Sequence, residues 1–245
     1  MQSILQNLID IIYPPRCHVC QEFLRNSPAL EELALCKPCF SGLSRLTPPF
    51  CPVCGRPFRT GPPENHYCED CLRKRPLYDR AGAPYLYEET IMEAIHCFKY
   101  AGKTYLGDTL GYLLFLFAED WLRETESPVM MPVPLHPRKL RERGFNQSLL
   151  LARHVATRMG FELDFLALRR IKYTLPQTGL KSTERKKNVR RAFECADQKI
   201  LNGRTVLLVD DVATTGSTLN ECARVLKRAG AEKVICLVLA RTMTP

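Results

Sequence analysis

The sequence predicts an α/β protein in which a parallel, doubly wound sheet follows a small cysteine-rich module. Strand and helix patterns alternate through the second half of the chain, which is typical of a parallel sheet with helices on both faces. Residues 205–209 form a continuous β-branched and aliphatic run, as expected for a strand buried on both faces. Eight of the twelve cysteines lie in the first 71 residues, which indicates a separate small module there.

The amino-terminal cysteines form four Cys-x-x-Cys pairs. Fifteen residues separate the two pairs of the first set, and thirteen separate those of the second. Two such turns can bring four thiolates around one tetrahedral zinc ion, so the spacing predicts two structural zinc ribbons. We favour sequential pairing, while interleaved pairing stays open. The predicted ligands are Cys17, Cys20, Cys36 and Cys39 for one ion, and Cys51, Cys54, Cys68 and Cys71 for the other.

Disulfide bonds are the alternative use of these cysteines. They would require an oxidising compartment, whereas residues 1–12 lack the basic region of a signal peptide and carry Asp10 within their apolar stretch. We therefore expect zinc-bound thiolates and a cytoplasmic location. His18 and His66 lie close enough in sequence to act as substitute ligands. Surface histidines that bind no metal are, however, more common than histidine ligands.

The chain is expected to divide near residue 75. Residues 1–75 would hold an amphipathic helix at residues 1–12 and the two ribbons, and a module of this size should depend on metal for folding. Residues 76–245 would form the α/β domain. The longest apolar stretch, residues 112–118, is far short of the ~20 residues that a membrane span needs.

The elements of the α/β domain are predicted from hydrophobic periodicity and turn signals. Asn146 is expected to cap the helix that follows it. The predicted strands are residues 83–87, 129–133, 163–168, 205–209 and 234–240. The predicted helices are residues 91–100, 106–122, 147–159 and 217–229.

Residues 207–218, LLVDDVATTGST, have the layout of a ribose-phosphate site. Asp210 and Asp211 are expected at the carboxyl end of a buried strand, where ligands bind in open α/β sheets, with both side chains facing solvent. Carboxylates accept hydrogen bonds from ribose hydroxyls, and a helix amino terminus attracts a 5′-phosphate. The predicted loop residues are Ala213, Thr214, Thr215, Gly216, Ser217 and Thr218.

A Walker B strand is the rival interpretation of this segment, because such a strand is also a run of apolar residues that ends in Asp. Such a strand needs a P-loop partner. The only Gly-Lys-Thr, at residues 102–104, has Cys97 at the position of the first P-loop glycine. The residues before it have helical spacing, so the context excludes an ATPase.

Basic residues concentrate in two further segments. Residues 134–144 follow a predicted strand end, where their positive charges could neutralise a pyrophosphate. Residues 169–193 carry nine positive charges and one negative charge, which accounts for most of the net charge of +9. A long irregular insertion between strands is often a lid, although a solvated surface loop is the usual alternative.

These motifs together resemble the ComF family, and LLVDDVATTGST is similar to the phosphoribosyl pyrophosphate (PRPP) motif of type I phosphoribosyltransferases. The other matching pieces are PVPLHPRKLRERGFNQS at residues 132–148, LPQTGLKSTERKKNVRRAF at residues 175–193, and the paired cysteines. The resemblance implies a type I phosphoribosyltransferase-like sheet behind a zinc module. It also implies a role in DNA uptake and natural competence, or in the use of external DNA.

The resemblance further implies that residues 210–218 bind PRPP with Mg²⁺ and that residues 134–144 bind its pyrophosphate. Arg138 and Lys139 are the candidate side chains there. Residues 169–193 would form the hood, the segment that covers the base site in phosphoribosyltransferases. Candidate hood contacts to base or nucleic acid are Lys181, Arg185, Lys186, Lys187, Arg190 and Arg191.

Phosphoribosyl transfer, or at least PRPP binding, is the leading functional prediction. No unique general base can be assigned, and His136 is the nearest candidate by sequence. The first alternative is a non-catalytic protein that binds single-stranded DNA and retains the phosphoribosyl site, which basic charge and aromatic residues would permit. The second is an adaptor for a competence helicase or other DNA-processing protein.

Overall fold

A computed structural model describes residues 12–24, 33–174, 188–196 and 201–243. The predicted amino-terminal helix lies outside the described residues, except for Ile12. So does the middle of the predicted hood, which includes Lys181, Arg185, Lys186 and Lys187.

A parallel sheet forms the centre of the chain. Its strands lie in the order β1-β8-β7-β3-β4, and β2 also pairs with β8. Every pairing within this sheet is parallel. The strands are β1 Arg80–Gly82, β2 Tyr85–Leu86, β3 Val129–Pro132, β4 Glu162–Leu163, β7 Thr205–Ala213 and β8 Lys233–Arg241. A separate antiparallel pair consists of β5 Leu168–Arg170 and β6 Phe193–Cys195.

All four predicted helices of the α/β domain are present with bounds within two residues of those expected, and the described residues contain three further short helices that were not predicted. Asn146 caps α6 as predicted, since its side chain accepts a hydrogen bond from the Ser148 N–H at 3.1 Å. The helices are α1 Lys37–Ser41, α2 Glu69–Arg73, α3 Glu89–Tyr100, α4 Leu106–Trp121, α5 Pro137–Arg143, α6 Gln147–Met159 and α7 Ser217–Arg228.

Side chains of the central strand β7 alternate between two buried clusters. Val206 and Leu208 belong to the cluster that contains the apolar side of α7 and the second set of four cysteines. Leu207 and Val209 belong to the opposite cluster, with α3, α4, α6 and three of the four cysteines of the first set. This alternation confirms the α/β class with helices on both faces, because each face of the sheet must be covered to bury it.

Two strand predictions were wrong. Residues 163–168 do not form one strand, because Asp164 Oδ1 accepts hydrogen bonds from the N–H groups of Leu166 and Ala167 and turns the chain. The predicted strand at residues 83–87 is interrupted as well. It is replaced by β1 and β2, which flank Ala83 and Pro84, and a proline cannot donate to a strand ladder.

The strand order places a topological switch point between β3 and β7. From β3 the chain passes through α6 to β4 on one side, whereas β7 passes through α7 to β8 on the other side. The loops after β3 and β7 therefore diverge and leave a crevice at the carboxyl ends of these strands. Open α/β sheets bind ligands in such crevices.

None of the helices in the described part of the chain combines the length and hydrophobicity needed to span a bilayer.

Candidate functional site

In each cysteine set, the four Sγ atoms lie close enough together to bind one metal ion. All four Sγ atoms of a set lie within 4.8 Å of one another, in the sequential grouping that the spacing favoured. Cys20 Sγ lies 3.5 Å from Cys36 Sγ, and Cys54 Sγ lies 3.6 Å from Cys68 Sγ. These distances are near the ~3.8 Å edge of a tetrahedral zinc–sulfur shell with ~2.3 Å bonds, and far longer than a disulfide bond. The residues therefore fit structural zinc.

The two histidines near the ribbons have other partners. His18 Nδ1 hydrogen-bonds with Thr109 Oγ1 at 2.8 Å, and its ring packs against Tyr105. His66 stacks on Phe58 with 3.9 Å between ring centroids. Neither histidine belongs to a metal-sized group, so all eight ligands are cysteines.

The predicted carboxylate pair lies inside β7 and not beyond its end. The ladder between β7 and β8 continues past Asp210 to Ala213, which pairs with Arg241. The expectation that both carboxylates face solvent was wrong, because Asp210 and Asp211 are only 9% and 4% exposed. Both side chains are held by other groups of the protein.

Asp210 faces α6 and the strand backbone. Its Oδ1 accepts hydrogen bonds from the Ser148 hydroxyl and from the Asp211 N–H, both at 2.9 Å. Burial, together with the negative charge of Asp211, raises the pKa of Asp210 to about 7. The carboxyl group is therefore poised to change its charge near neutral pH.

Asp211 forms an ion pair with α3. Lys99 Nζ lies 2.8 Å from Asp211 Oδ2, and the two side chains are 18% and 5% exposed. Burial alone would lower the pKa of Lys99, but Asp211 and Asp210 outweigh it and raise this pKa. Lys99 thus stays charged and fixes the position of the second carboxylate.

The loop after the carboxylates leads directly into α7. Gly216 stands just before the helix with φ of 71°, a left-handed conformation that disfavours side chains. Thr215 Oγ1 lies 2.7 Å from Ser217 Oγ and accepts the Ser217 N–H at 3.3 Å. Ala213 is buried, whereas Thr214 and Thr218 are half-buried. Hydroxyls and the amino end of a 12-residue helix thus meet as an anion site requires.

The predicted pyrophosphate loop contains a short helix, α5, which the periodicity did not predict. His136 caps it, since its Nδ1 accepts the Arg138 N–H at 3.2 Å, which agrees with a structural role for this histidine. Arg138 pairs with Glu142 at 3.0 Å and lies over the ring of Tyr173, 4.7 Å from its centroid. Lys139 is half-buried beside it. Arg138 therefore links the segment after β3 to the beginning of the hood.

The described ends of the predicted hood contact each other and α7. Arg170, on β5, lies 5.3 Å from the ring centroid of Phe193 on β6. Burial lowers the pKa of Arg170, an effect that Cys222 and Asp210 oppose. At the other end, the Arg191 N–H donates to Glu221 Oε1 on α7 at 2.7 Å.

Several residues of this site carried no recognisable sequence signal. Ser148 and Lys99 contact the carboxylate pair because α6 and α3 pack beside β7. Arg170 on β5 lies close enough to Asp210 for the two to interact electrostatically. Arg170 was counted only among the hood charges. A carboxylate that is buried in a fold needs a partner, but the sequence does not say which cation supplies it.

The fold and these sites define a class of protein: a double zinc ribbon joined to a phosphoribosyltransferase-type domain. A family model described as "Double zinc ribbon domain" matches residues 8–72. A second, described as "Phosphoribosyl transferase domain", matches residues 146–244.

Relatives of nearly the same length narrow this class to one family. Competence protein F of Haemophilus influenzae is 31% identical over 230 residues, which cover 92% of this chain and 96% of the relative. The DNA utilization protein YhgH of Escherichia coli K12 is 32% identical over 234 residues, with coverage of 94% and 98%. The chain belongs to the ComF family.

Among solved structures, a purine phosphoribosyltransferase from Pyrococcus horikoshii Ot3 is 21% identical to this chain. It aligns with a TM-score of 0.35 over 55% of this chain and 83% of its own.

Proposed function

We propose that this protein binds PRPP at the carboxyl end of β7 and uses it in phosphoribosyl transfer. The observation that carries the proposal is the arrangement at the switch point. There, Asp210 and Asp211 directly precede a hydroxyl-rich loop and the amino end of α7. Carboxylates for a ribose and a helix amino terminus for its phosphate occur together in the order that a phosphoribosyl group requires.

Each end of the ligand has its own group of residues in this proposal. Asp210 and Asp211 accept hydrogen bonds from the ribose hydroxyls, and the loop of Thr214 to Thr218 holds the 5′-phosphate. Arg138 and Lys139 face the leaving pyrophosphate from the segment after β3. Departure of pyrophosphate makes the ribose ring positive, so the two carboxylates stabilise the transition state electrostatically.

The existing contacts of the carboxylates prepare them for this role. Ser148 and Lys99 hold Asp210 and Asp211 in fixed positions before any ligand binds. Fixed acceptors lose less conformational freedom on binding than mobile ones. Asp210 accepts hydrogen bonds best when ionised, so PRPP affinity is expected to rise with pH through about 7, where its pKa lies.

Mg²⁺ fits this site as an ion that arrives with the ligand. When bound, it would neutralise charge on the pyrophosphate. The ligand oxygens would supply most of its coordination, since Asp210 and Asp211 already contact Ser148 and Lys99. Asp210 and Asp211 are the carboxylates that would hold such an ion.

The biological setting is proposed from the relatives, which are named as a competence protein and as DNA utilization proteins. We place this chain in the same processes, where it would act on a product of DNA uptake or breakdown. Zinc-bound thiolates are stable in a reducing compartment, which supports a cytoplasmic location. Single-stranded DNA and competence helicases stay predicted partners.

The proposal is tested by titrating the zinc-loaded protein with PRPP and Mg²⁺ in a calorimeter. Asp210→Asn combined with Asp211→Asn should abolish measurable binding, because each lost charge-assisted hydrogen bond costs about 1.5 to 3 kcal/mol. The matched control is Glu119→Gln with Asp120→Asn, an adjacent and exposed acidic pair on α4. Equal PRPP affinity in both double variants would refute the site. Pyrophosphate release in a screen of nucleobases would then establish transfer.

A further inference from the structure

A cavity of about 580 Å³ lies on the side of the 5′-phosphate loop that faces the second cysteine set. Its walls come from that cysteine set, from the linker before β1, from the hood residues next to β6, and from the beginning of α7. Small-molecule sites commonly have volumes of about 300 to 1,000 Å³. The cavity is therefore large enough for a nucleotide.

This cavity differs from the phosphoribosyl site. It shares Thr215, Gly216 and Ser217 with the phosphate loop, but neither Asp210 nor Asp211 lines it. The candidate pyrophosphate residues are absent from its walls too. A ligand in this cavity would lie beside the loop without contacting the ribose carboxylates.

Arg241 is the strongest indication that the cavity binds an anion. It stands at the end of β8 and is 2% exposed, yet it lines the cavity. Its Nε and Nη1 atoms are buried and have no hydrogen-bond partner among the described residues. Buried guanidinium groups normally donate to an acceptor, because an unpaired buried donor is costly. Arg241 thus contributes to the cavity wall a guanidinium group with two unpartnered buried nitrogens, and its positive charge would attract a ligand phosphate.

Part of the Arg241 charge is already opposed by the neighbouring metal site. Cys54 lies close enough to Arg241 for the two to interact electrostatically. One zinc ion with its four thiolates carries a net charge of about −2, which is larger than the single positive charge of Arg241. This electrostatic attraction gives no hydrogen-bond acceptor to Nε and Nη1 of Arg241. The zinc ribbon alone therefore does not explain why the Arg241 side chain is buried.

The remaining charges of the cavity favour a polyanion. Its two acidic side chains are engaged, since Asp70 pairs with Arg56 at 2.7 Å and Glu221 pairs with Arg224 at 2.7 Å. Three other cations line it without a salt bridge to any described residue. These are Lys74, Arg75 and Arg190. Because the cysteine site opposes the charge of Arg241, these three cations alone match the charge of a nucleoside diphosphate, about −3.

The cavity also offers surface for the uncharged part of a ligand. Pro76, Tyr78 and Val189 line it. The Tyr78 hydroxyl lies over Gly216, and only 3.2 Å would separate it from a Cβ built on that glycine. A side chain at residue 216 would therefore approach the cavity wall, whereas glycine leaves the space between loop and tyrosine open.

We propose that this cavity is a second ligand site, specific for a nucleoside polyphosphate. Arg241 anchors the phosphate chain from within the fold, and Lys74, Arg75 and Arg190 surround it from the linker and the hood. The nucleoside occupies the part of the cavity next to Pro76, Tyr78 and Val189. Because the bound ligand contacts the ribbon side and α7 together, its binding ties the zinc module to the transferase domain.

The test is calorimetric titration of the zinc-loaded, full-length protein with ADP in the absence of Mg²⁺. Lys74→Gln combined with Arg190→Gln removes two exposed cavity charges and should weaken ADP binding about tenfold or more. Arg153→Gln with Lys233→Gln removes the same charge from exposed positions outside the cavity and should leave affinity unchanged. AMP should bind about tenfold more weakly than ADP, since it makes fewer ionic hydrogen bonds.

Arg241→Gln should weaken ADP binding at least as much as the double variant. Because Arg241 is buried beside a metal site, zinc content is measured on the same sample, and two ions per chain show that the ribbon has formed. The exposed double variant keeps the proposal testable if Arg241→Gln does not fold.

Three results would overturn the proposal. The first is the absence of any ADP binding at millimolar concentration. The second is ADP binding that Asp210→Asn with Asp211→Asn abolishes but Lys74→Gln with Arg190→Gln does not change, which would assign ADP to the phosphoribosyl site. The third is binding of a short oligothymidylate that depends on the cavity cations while ADP fails to compete, which would assign these cations to nucleic acid.

Discussion

Asp210 combines a buried carboxyl group with a position where ligand hydroxyls are expected. The same burial that raises its pKa also makes ionisation unfavourable in the ligand-free protein. Functional sites often retain groups that cost stability, because the group is matched to a ligand and not to the empty fold. Asp210 is therefore a residue at which activity and stability should oppose each other.

We expect Asp210→Asn to stabilise the ligand-free protein at alkaline pH. Between the ordinary pKa of 3.8 and the raised value of about 7, the folded protein holds a proton that the unfolded chain has released. Stability of the natural protein should therefore fall as pH rises through this window, by about 2 to 3 kcal/mol between pH 5 and pH 8 relative to the variant. Urea unfolding at a series of pH values measures this difference.

Asp120→Asn is the control for this prediction, since that side chain is 81% exposed. It should leave the pH dependence of unfolding unchanged. If Asp210→Asn followed the natural protein at every pH, Asp210 would be ionised throughout and the raised pKa would be wrong.

At the scale of elements, the ion pair between Lys99 and Asp211 joins α3 to β7. The same helix buries Ile91, Ile95 and Phe98 against the sheet, so the charged side chain continues an otherwise apolar face. A buried pair of this kind is costly to desolvate, and breaking it leaves an uncompensated charge. Removal of one partner should therefore cost more stability than removal of both.

Lys99→Met should destabilise the protein by about 3 to 5 kcal/mol, because Asp211 would remain buried without its cation. Adding Asp211→Asn should restore much of that loss. Arg123→Gln, which breaks the exposed pair with Asp120, should cost at most about 1 kcal/mol. Denaturant unfolding of the natural protein, Lys99→Met, Asp211→Asn and the double variant measures the coupling. Additive effects of the two substitutions would show that the side chains do not interact.

At the scale of the whole molecule, the two zinc ribbons are not attached side by side. Three cysteines of the first set, Cys17, Cys36 and Cys39, lie in or against the buried cluster on one face of the sheet, and the second set belongs to the cluster on the other face. Backbone hydrogen bonds reinforce this, since the Ala81 N–H on β1 donates to the Val53 carbonyl at 2.8 Å. Each metal site thus supports one layer of the transferase core.

Cys68→Ser should therefore lower the stability of the whole protein and not of the ribbon alone. Loss of one structural zinc ion should cost several kcal/mol, which corresponds to a fall in Tm of about 10 °C. Elemental analysis should find two zinc ions per natural chain and one in the variant. Cys97→Ser, which removes a cysteine outside both sets, should keep both ions. An unchanged Tm with one ion lost would show that the ribbon folds independently.

The cysteine sets and the longer helices could be predicted because each depends on residues close together in sequence. Four thiolates at Cys-x-x-Cys spacing define a metal shell locally, and Asn146 caps α6 through the residue two positions later. The strand at residues 163–168 could not be excluded, because its apolar pattern conceals the turn that Asp164 makes. Hydrophobic periodicity reports burial and not the partner of a strand.

The sequence by itself determined the local features of this protein: two sets of zinc ligands, a parallel α/β sheet, and a carboxylate pair before a hydroxyl-rich loop. The tertiary structure alone decided what surrounds those groups. It buried Asp210 and Asp211, paired Asp211 with Lys99, and placed Arg241 at the wall of a cavity beside the second ribbon. These contacts join residues that are distant in the chain. They form only when whole helices and strands pack together, so no local sequence pattern predicts them.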